Sequence, residues 1–260
     1  IITARNDGHL VGIAPLFIGE RNGEREFHFI GSVEISDYLD FIVQPQNSET
    51  FITGIFKLAK EGKARFPAKI RLFNIPDNSP SLQIMRKIGE REDWSVEIEP
   101  AYHTPTITLP EDWETYLAGI NKKQRHEIRR KLRRASKSED DVTWYITTEK
   151  SMLNQDTIDF FQLMEFDEEK KRFLTEDMRK QMEAIILWAF HAGNLQLSIL
   201  TINDEEAAGY LCFDYGNRIW VYNSGFRPEY QYYSPGWVLL SYLIQHAIRT
   251  GKTHFDFMRG

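Results

Sequence analysis

Residues 223–257, "NSGFRPEYQYYSPGWVLLSYLIQHAIRTGKTHFDF", predict a strand, a loop, a helix and a second strand. The helix would begin at Ser234-Pro235-Gly236, where Ser234 is a favourable N-cap residue and Pro235 suits the first helical position. Gly236 would let another molecule approach the backbone closely. The free N–H groups of such a first turn can bind a phosphate or pyrophosphate. An ordinary capped core helix is the alternative, because Ser-Pro starts also occur without a ligand.

Apolar residues at helical spacing predict which face of this helix is buried. We expect the helix to be anchored on a sheet by Trp237, Leu240, Leu243, Ile244 and Ala247. The single cysteine, Cys212, lies in an apolar run and is predicted to be a small buried hydrophobe rather than a nucleophile. One cysteine excludes an internal disulfide and a cysteine-rich metal site. The histidines have no partners at metal-ligand spacing, so no metal is expected.

The two ends of the chain share one plan. Residues 2–32, "ITARNDGHLVGIAPLFIGERNGEREFHFIGS", and residues 197–225, "LSILTINDEEAAGYLCFDYGNRIWVYNSG", each predict three strands separated by turns. Each is followed by a helix, at about 48–63 and 235–250, and then by a strand, "KIRLFNI" (69–75) or "THFDFM" (253–258). Two copies of one β-β-β-α-β unit explain this pattern.

The middle of the chain is predicted to be mainly helical. Its helical segments are 79–91, 111–137, 154–170 and 175–192, and its strand candidates are "WSVEIE" (94–99) and "VTWYITT" (142–148). Asp156 and Thr175 are predicted N-caps, and Gly193 a C-terminal stop. Mixed, mostly antiparallel sheets covered by helices place the fold in the α/β (α+β) class. We expect an N-terminal unit at 1–108 and a C-terminal unit at 109–260.

Composition is that of a globular chain. It has 260 residues, 42% of them hydrophobic, and a net charge of −6. No segment approaches the roughly 18 uncharged apolar residues of a membrane span, and the first residues do not resemble a signal peptide. The sequence therefore predicts no membrane span and a cytoplasmic location. Both ends are expected to lack part of the structure, since the chain starts at Ile1 and stops just after the last predicted strand.

Positive charge is concentrated in residues 121–137, "NKKQRHEIRRKLRRASK", which hold nine Lys or Arg and one Glu. A solvated helix face is the first interpretation, because Lys and Arg form helices well and cover apolar surface with their stems. Binding of a polyanionic substrate or of cofactor phosphates is the second. The third is a nucleic acid, and a tRNA acceptor end bound at one patch is compatible with the overall acidity.

Six motifs carry a resemblance to a known family. They are "DGHLVGIAPLF" (7–17), "ISDYLDFIV" (35–43), "WETYLAGINKKQRHEIRRKLRRA" (113–135), "GNLQLSIL" (193–200), "AAGYLCFDYGNRIWVYNSGFRPEYQYYSPGWVLL" (207–240) and "GKTHFDFMRG" (251–260). Together they resemble the GNAT acyltransferases, and more narrowly the CelD group named for cellulose biosynthesis, relatives of the FemAB peptidyltransferases. The resemblance implies two fused GNAT-like units over nearly the whole chain. Relatives continue beyond the last motif into further strand and helix.

The same resemblance implies where the donor binds. In that family the loop and helix after the fourth strand bind the pantetheine and pyrophosphate of acyl-CoA. Carried over to this chain, that region is residues 222–237, and the groove between the two units would be the active site. The candidate cofactor-binding residues are Arg227, Tyr232, Tyr233, Ser234, Gly236 and Trp237. Arg227 could instead pair with a carboxylate such as Glu229.

Transfer of an acyl group from a thioester to an amine needs a base or proton relay and donors for the developing oxyanion. The acidic-aromatic segment "SDYLDF" offers Asp37, Tyr38 and Asp40 as candidates for the base. Tyr222 is a candidate for protonating the departing thiolate. Structural roles are the alternatives: Asp37 would cap a turn, Asp40 would be solvated, and the tyrosines would pack. Likewise "MEFDEEKKRF" (164–173) is typical of a salt-bridged helix surface, with Glu165 facing the substrate groove as the alternative.

The resemblance implies an acyl-CoA-dependent N-acyltransferase of the GNAT type, which the charge and the spacing of the residues permit. Its acceptor would be a small molecule or a precursor of the cell envelope or of a polysaccharide. One alternative keeps the fold and takes aminoacyl-tRNA as donor, as FemAB peptidyltransferases do. The other is a non-catalytic accessory protein of polysaccharide biosynthesis.

Overall fold

A computed structural model describes residues 1–31, 33–61 and 66–259 and divides the chain into two compact units, Ile1–His103 and Thr104–Gly260. The dividing point lies before the predicted one because strand β7, Thr106–Thr108, pairs with β12, His254–Asp256, of the second unit. No helix in the described part of the chain is both long enough and apolar enough to cross a membrane.

The first unit contains six short strands and two helices. The strands are β1 (Ile2–Asn6), β2 (His9–Ala14), β3 (Leu16–Arg21), β4 (Glu24–Phe29), β5 (Ile42–Val43) and β6 (Lys69–Ile70), and the helices are α1 (Ser48–Glu61) and α2 (Pro80–Glu92). They form two three-stranded sheets, in the orders β1-β2-β5 and β3-β4-β6. Among the described residues of this unit, β4 and β6 pair in parallel and the other strand pairs are antiparallel. The predicted helical residues 62 and 63 lie outside the described residues.

The second unit is built on one six-stranded sheet in the order β7-β12-β11-β10-β9-β8. Its remaining strands are β8 (Val142–Ile146), β9 (Leu195–Ile202), β10 (Glu205–Tyr215) and β11 (Arg218–Phe226). Its helices are α3 (Trp113–Gly119), α4 (Lys122–Ser136), α5 (Lys150–Glu165), α6 (Glu168–Phe173), α7 (Glu176–His191) and α8 (Pro235–Arg249). A 3₁₀ helix, Pro228–Tyr233, joins β11 to α8.

Helices cover both faces of this sheet, as alternation along the strands requires. On β9, Leu197 and Ile199 pack with residues of α5 and α7. Leu200 and Ile202 of the same strand pack with residues of α8 on the opposite face. The mixed α/β fold class predicted from the sequence is confirmed. Each unit has a pair of parallel strands with a helix between them along the chain. The helix is α1 for β4 and β6, and α8 for β11 and β12.

Helix boundaries show where the sequence patterns were misleading. The predicted helix 111–137 is two helices, because Asn121 has extended backbone angles and its side chain caps α4 by accepting from the Gln124 N–H at 2.9 Å. The predicted helix 154–170 is divided in the same way by Asp167, which caps α6. The segment 94–99 forms no strand.

Of the three helix-end residues predicted in the middle of the chain, two are confirmed. The Thr175 side chain accepts from the Met178 N–H at 3.3 Å, and Gly193 has a positive φ of 71° after α7. Asp156 is wrong as an N-cap, since it lies inside α5 and is buried. Its carboxylate instead accepts from the Tyr145 hydroxyl at 3.0 Å and from Thr147 Oγ1 at 2.6 Å.

A close approach of two backbones in the second unit involves a glycine in β11. A Cβ atom on Gly225 would lie 2.4 Å from the Leu163 carbonyl carbon and 2.5 Å from the Met164 nitrogen of α5. These atoms belong to the backbone, so they cannot move aside as a side chain could. The contact therefore requires glycine.

We expect Gly225→Ala to destabilise the protein by about 3 kcal/mol, the upper end for overpacking a core. Urea unfolding followed by circular dichroism measures this free energy. Gly119→Ala is the matched control in the same unit, because a Cβ there meets no atom within 4 Å. Equal unfolding free energies for the two variants would contradict the close contact.

Candidate functional site

The strand β11 is paired to β12 over only part of its length. The two strands are in register from Arg218–His254 to Trp220–Asp256, after which β11 continues to Phe226 while β12 ends. A β-bulge also places Tyr222 between the pairs Val221–Cys212 and Asn223–Leu211. A bulge disrupts the ladder and redirects the strand. Beyond Trp220, β11 is therefore bulged and is not paired with β12.

The start of α8 faces open space. A Cβ atom on Gly236 would meet nothing within 4 Å. Its N–H donates to no group in the described part of the chain, whereas the Trp237 N–H donates to the Ser234 carbonyl at 3.0 Å. Ser234 occupies the N-cap position but has left-handed backbone angles, φ 53° and ψ 54°, and its side chain makes no capping bond. The predicted side-chain cap is therefore wrong, and a donor remains at the positive helix end.

Two cations from α4 lie against aromatic rings beside this helix start. The Lys131 ammonium is 4.6 Å from the centroid of the Trp237 ring, and the Arg134 guanidinium is 4.5 Å from that of Tyr232. Arg134 also donates to the Tyr232 carbonyl. Burial lowers the pKa of Lys131, and Glu127 opposes that shift. We call Lys131, Arg134, Tyr232, Gly236 and Trp237 the α8-start cluster.

Exposure of the aromatic residues corrects one sequence prediction. Trp237 is 52% exposed and Tyr232 is 67% exposed, so Trp237 does not anchor α8 on the sheet. The anchoring is done by residues such as Leu243 and Ala247, which are fully buried. An exposed tryptophan beside a lysine presents a flat apolar surface and a positive charge at one place. The α8-start cluster thus has the chemistry to bind an anion attached to a planar group.

Tyr233 is held by the loop that precedes β8. Its hydroxyl donates to the Asp140 carboxylate and lies 2.8 Å from Ser138 Oγ. The bond to Asp140 raises the pKa of Tyr233, and the bonds from Tyr233 and Asn203 lower the pKa of Asp140. This geometry gives Tyr233 a structural role in fixing the 3₁₀ helix before α8. Its binding of a cofactor stays a prediction.

Arg227 follows β11 and has a different carboxylate partner from the one considered in the sequence. Its Nη1 atom lies 3.4 Å from Oε2 of Glu205, which also accepts from the Tyr230 hydroxyl at 2.8 Å. The Nε atom of Arg227 is buried and has no hydrogen-bond partner among the described residues. Arg227 lines a surface pocket together with Gln162, Glu165, Phe166 and Lys171.

Lys170 is a functional candidate that the sequence did not single out. Its ammonium donates to the Ser224 carbonyl of β11 at 2.6 Å, and burial lowers its pKa. In the sequence it belongs to a charged run that is typical of a helix surface. Lys131 and Arg134 were likewise part of a general basic segment. Their three-residue spacing puts them on one face of α4, but the sequence does not say that α8 lies under that face.

Tyr222 and Cys212 are two further candidates from the sequence that lie in the second unit. Tyr222 packs with the buried residues of α5 and α7, on the sheet face opposite α8, with its ring centroid 5.8 Å from that of Phe213. Cys212 is fully buried, as predicted, and burial raises the pKa of its thiol. A buried neutral thiol is a poor nucleophile. Among the described residues no group of three His, Cys, Asp or Glu side chains is placed to hold a metal ion.

The acidic-aromatic segment lies in the first unit. Both oxygens of Asp40 accept hydrogen bonds, from the Phe41 N–H at 2.7 Å and from the Ser79 hydroxyl. Ser79 in turn caps α2 by accepting from the Ser81 N–H at 3.0 Å. Asp40 therefore supports a helix start. Asp37 and Tyr38 are half-buried beside it, and their catalytic roles stay predictions.

We expect Tyr233→Phe to destabilise the protein between about pH 4 and pH 10. The folded-state pKa of Asp140 is lowered, so its contribution is present above the unfolded value and is lost as the pH falls through the folded value. The folded-state pKa of Tyr233 is raised, so the bond is lost as the pH rises through that value.

Urea unfolding at a series of pH values measures this difference. Tyr232→Phe is the matched control, because the Tyr232 hydroxyl is bonded to no group in the described part of the chain. A difference between wild type and Tyr233→Phe that persists unchanged at pH 3 would contradict the assignment to Asp140.

Comparison with known proteins agrees with this geometry. The profile of the acetyltransferase (GNAT) domain matches residues 122–260, which contain α4, β8–β12 and α8. The matched region therefore holds the whole of β11 with its bulge and the whole α8-start cluster. No curated protein matches the sequence significantly.

Solved structures share the fold over nearly the whole chain. FemX has a TM-score of 0.61 and 15% identity, covering 99% of this chain and 78% of FemX. The C-terminal domain (DUF2156) of an Agrobacterium fabrum protein assigned as a lysylphosphatidylglycerol synthetase has a TM-score of 0.55 and 11% identity, with coverages of 94% and 67%. L-PGS from Bacillus licheniformis has a TM-score of 0.50 and 12% identity, with coverages of 93% and 64%.

At these identities the likeness shows the fold alone, and the narrower CelD-like grouping stays a prediction. The profile match is different in kind, because it covers more than half of the sequence. The chain therefore belongs to the acetyltransferase (GNAT) domain family.

Proposed function

We propose that the protein is an N-acyltransferase that moves an acyl group from acyl-CoA to an amine by direct attack. The observation that carries this proposal is the α8-start cluster: an open helix start with two cations and two exposed rings beside it. The family gives the reaction class, a transferase. The cluster gives a reason to choose acyl-CoA as the donor, since CoA combines phosphates with a planar base.

The α8-start cluster would bind the donor through three kinds of contact. The Gly236 N–H and the positive end of α8 would hold the diphosphate. Lys131 and Arg134 would add charge-assisted bonds to phosphate oxygens. The exposed faces of Trp237 and Tyr232 would stack on the adenine. Ser234 would contribute its backbone and hydroxyl at the same place, next to the Tyr233 that fixes the loop.

The reaction forms a bond from the amine nitrogen to the acyl carbon and breaks the bond from that carbon to sulfur. The thiolate leaves readily, with a pKa of about 8.5, whereas an amine with a pKa of about 10 must first lose a proton. N–H groups near the bulge of β11 would stabilise the oxyanion. Tyr222 would return a proton to the thiolate, and the base would come from Asp37, Tyr38 and Asp40, of which Asp40 is already bonded through both oxygens.

The acceptor we propose is an amine on a small molecule or on a precursor of the cell envelope. One structural neighbour is assigned as a lysylphosphatidylglycerol synthetase, and this points toward the envelope. The cytoplasmic location expected from the sequence stays a prediction.

We expect Gly236→Glu to abolish the binding of CoA, because the side chain would place bulk and a negative charge at the helix start. Lys131→Gln should weaken binding by about tenfold, the usual effect of losing a hydrogen bond to a charged group. Isothermal titration calorimetry with CoA and acetyl-CoA measures both. Lys123→Gln is the control, because Lys123 lies on the same helix, is exposed and is not part of the α8-start cluster. Unchanged affinity in Gly236→Glu would remove the site.

An aminoacyl-tRNA donor is the second candidate, favoured by the exposed charge on α4. Lys122, Lys123, Arg133 and Lys137 form no ion pair with any described residue. Such a patch would bind RNA with strong salt dependence. A filter-binding titration with total tRNA at about 50 and 200 mM salt tests it. Tight, salt-sensitive retention together with absent CoA binding would replace our proposal.

A non-catalytic accessory role is the remaining alternative. It predicts that CoA and acetyl-CoA leave the thermal unfolding temperature unchanged, because a ligand that does not bind the native state cannot stabilise it. An upward shift with either compound would exclude this alternative, whereas no shift with both would favour it over the enzyme.

A further inference from the structure

The surface pocket beside Arg227 is distinct from the α8-start cluster, because the two share no residue. Its lining comes from the end of α5 (Gln162, Glu165), the loop after it (Phe166), α6 (Lys171) and the residue after β11 (Arg227). The close contact of Gly225 with the α5 backbone holds these elements together. The pocket is therefore built on the second unit alone.

The cations of this pocket are incompletely paired. Arg227 has a long contact of 3.4 Å to an exposed Glu205, and its buried Nε has no partner. Lys171 is exposed and forms no ion pair with any described residue. Glu165 is paired with Arg179 and thus does not neutralise either cation. A buried N–H of a charged group without a partner is costly, and a bound anion would satisfy it.

The charge balance selects the kind of anion. Arg227 and Lys171 carry two positive charges, Glu205 offsets one, and Glu165 and Arg179 cancel each other. One positive charge remains, which suits a monoanion. Nη1 of Arg227 already faces Glu205, so the edge formed by Nε and Nη2 is the one left for a ligand. That edge matches the two oxygens of a carboxylate.

We infer that this pocket binds a carboxylate carried by the acceptor amine. The inference rests on the proposed transfer, because it names the class of acceptor: an amine that also bears a carboxylate. Phe166, whose ring centroid is 5.8 Å from the Arg227 guanidinium, covers the carboxylate site and offers an apolar surface to the chain between the two groups.

The position along β11 sets a minimum length for this acceptor. Arg227 lies five residues after the bulge residue Tyr222, which corresponds to a length of about 16 Å along an extended chain. The oxyanion donors that we propose lie near the bulge. An α-amino acid, whose amine and carboxylate share one carbon, is too short to reach from Arg227 toward them. The acceptor amine is therefore separated from its carboxylate by several bonds.

The test is a binding measurement that does not require transfer. The probe is 6-aminohexanoate, and 6-aminohexanamide is its uncharged match. Calorimetry without CoA should give at least about tenfold tighter binding of the carboxylate, as expected for bonds to a charged group. Arg227→Gln should remove that preference, and Arg227→Lys should restore only part of it, since it keeps the charge without the fork.

Lys171→Gln and Arg172→Gln form the matched control pair. Both residues are exposed neighbours in α6, but only Lys171 lines the pocket, so only its variant should weaken the probe, by a few-fold. These variants also keep the test valid if Arg227→Gln fails to fold.

Three results would overturn the inference: equal affinity for acid and amide, no binding of the acid, or equal effects of the two α6 variants. Tighter binding of 6-aminohexyl phosphate than of 6-aminohexanoate would overturn the choice of a carboxylate. CoA affinity is measured on the same proteins. Absence of CoA binding in the wild-type protein would count against the proposed function. CoA binding together with equal affinity for 6-aminohexanoate and 6-aminohexanamide would count only against the carboxylate site in this pocket.

Discussion

The approach of two backbones at Gly225 is the constraint on which the second unit depends. The α5 backbone lies so close to β11 that a single methyl group would not fit between them. This contact holds the last turn of α5 against the end of the strand. It thereby sets the positions of Glu165 and Phe166 on one side and of Arg227 on the other. The chain then turns through a short 3₁₀ helix into α8, so the same strand leads to the α8-start cluster.

The chain that follows β11 contributes to both the α8-start cluster and the Arg227 pocket, and these two sites have different chemistry. The first combines an open helix start with cations over exposed rings, which suits phosphates and a planar base. The second offers one unbalanced positive charge beside an apolar ring, which suits a single carboxylate.

Much of this arrangement could be predicted from the sequence, but not the surroundings of the side chains at the start of α8. Periodicity located α8 and the strands around it, because the buried faces repeat at fixed spacing. Ser234 was recognised as the N-cap position, yet its left-handed backbone turns the side chain away from the first-turn amides. Trp237 fitted the apolar pattern of α8 and still lies at the surface beside Lys131. A periodic pattern gives the position of a residue on a helix, but it does not say whether another part of the protein packs against that residue.

Cys212 has a practical consequence. It is the only cysteine in the chain, and it is fully buried in the layer between the sheet and α8. A thiol reagent can reach it only when that layer opens, so the labelling rate reports the opening of the second unit. A fluorophore attached to a cysteine introduced at an exposed position would leave the native thiol unmodified while the protein stays folded.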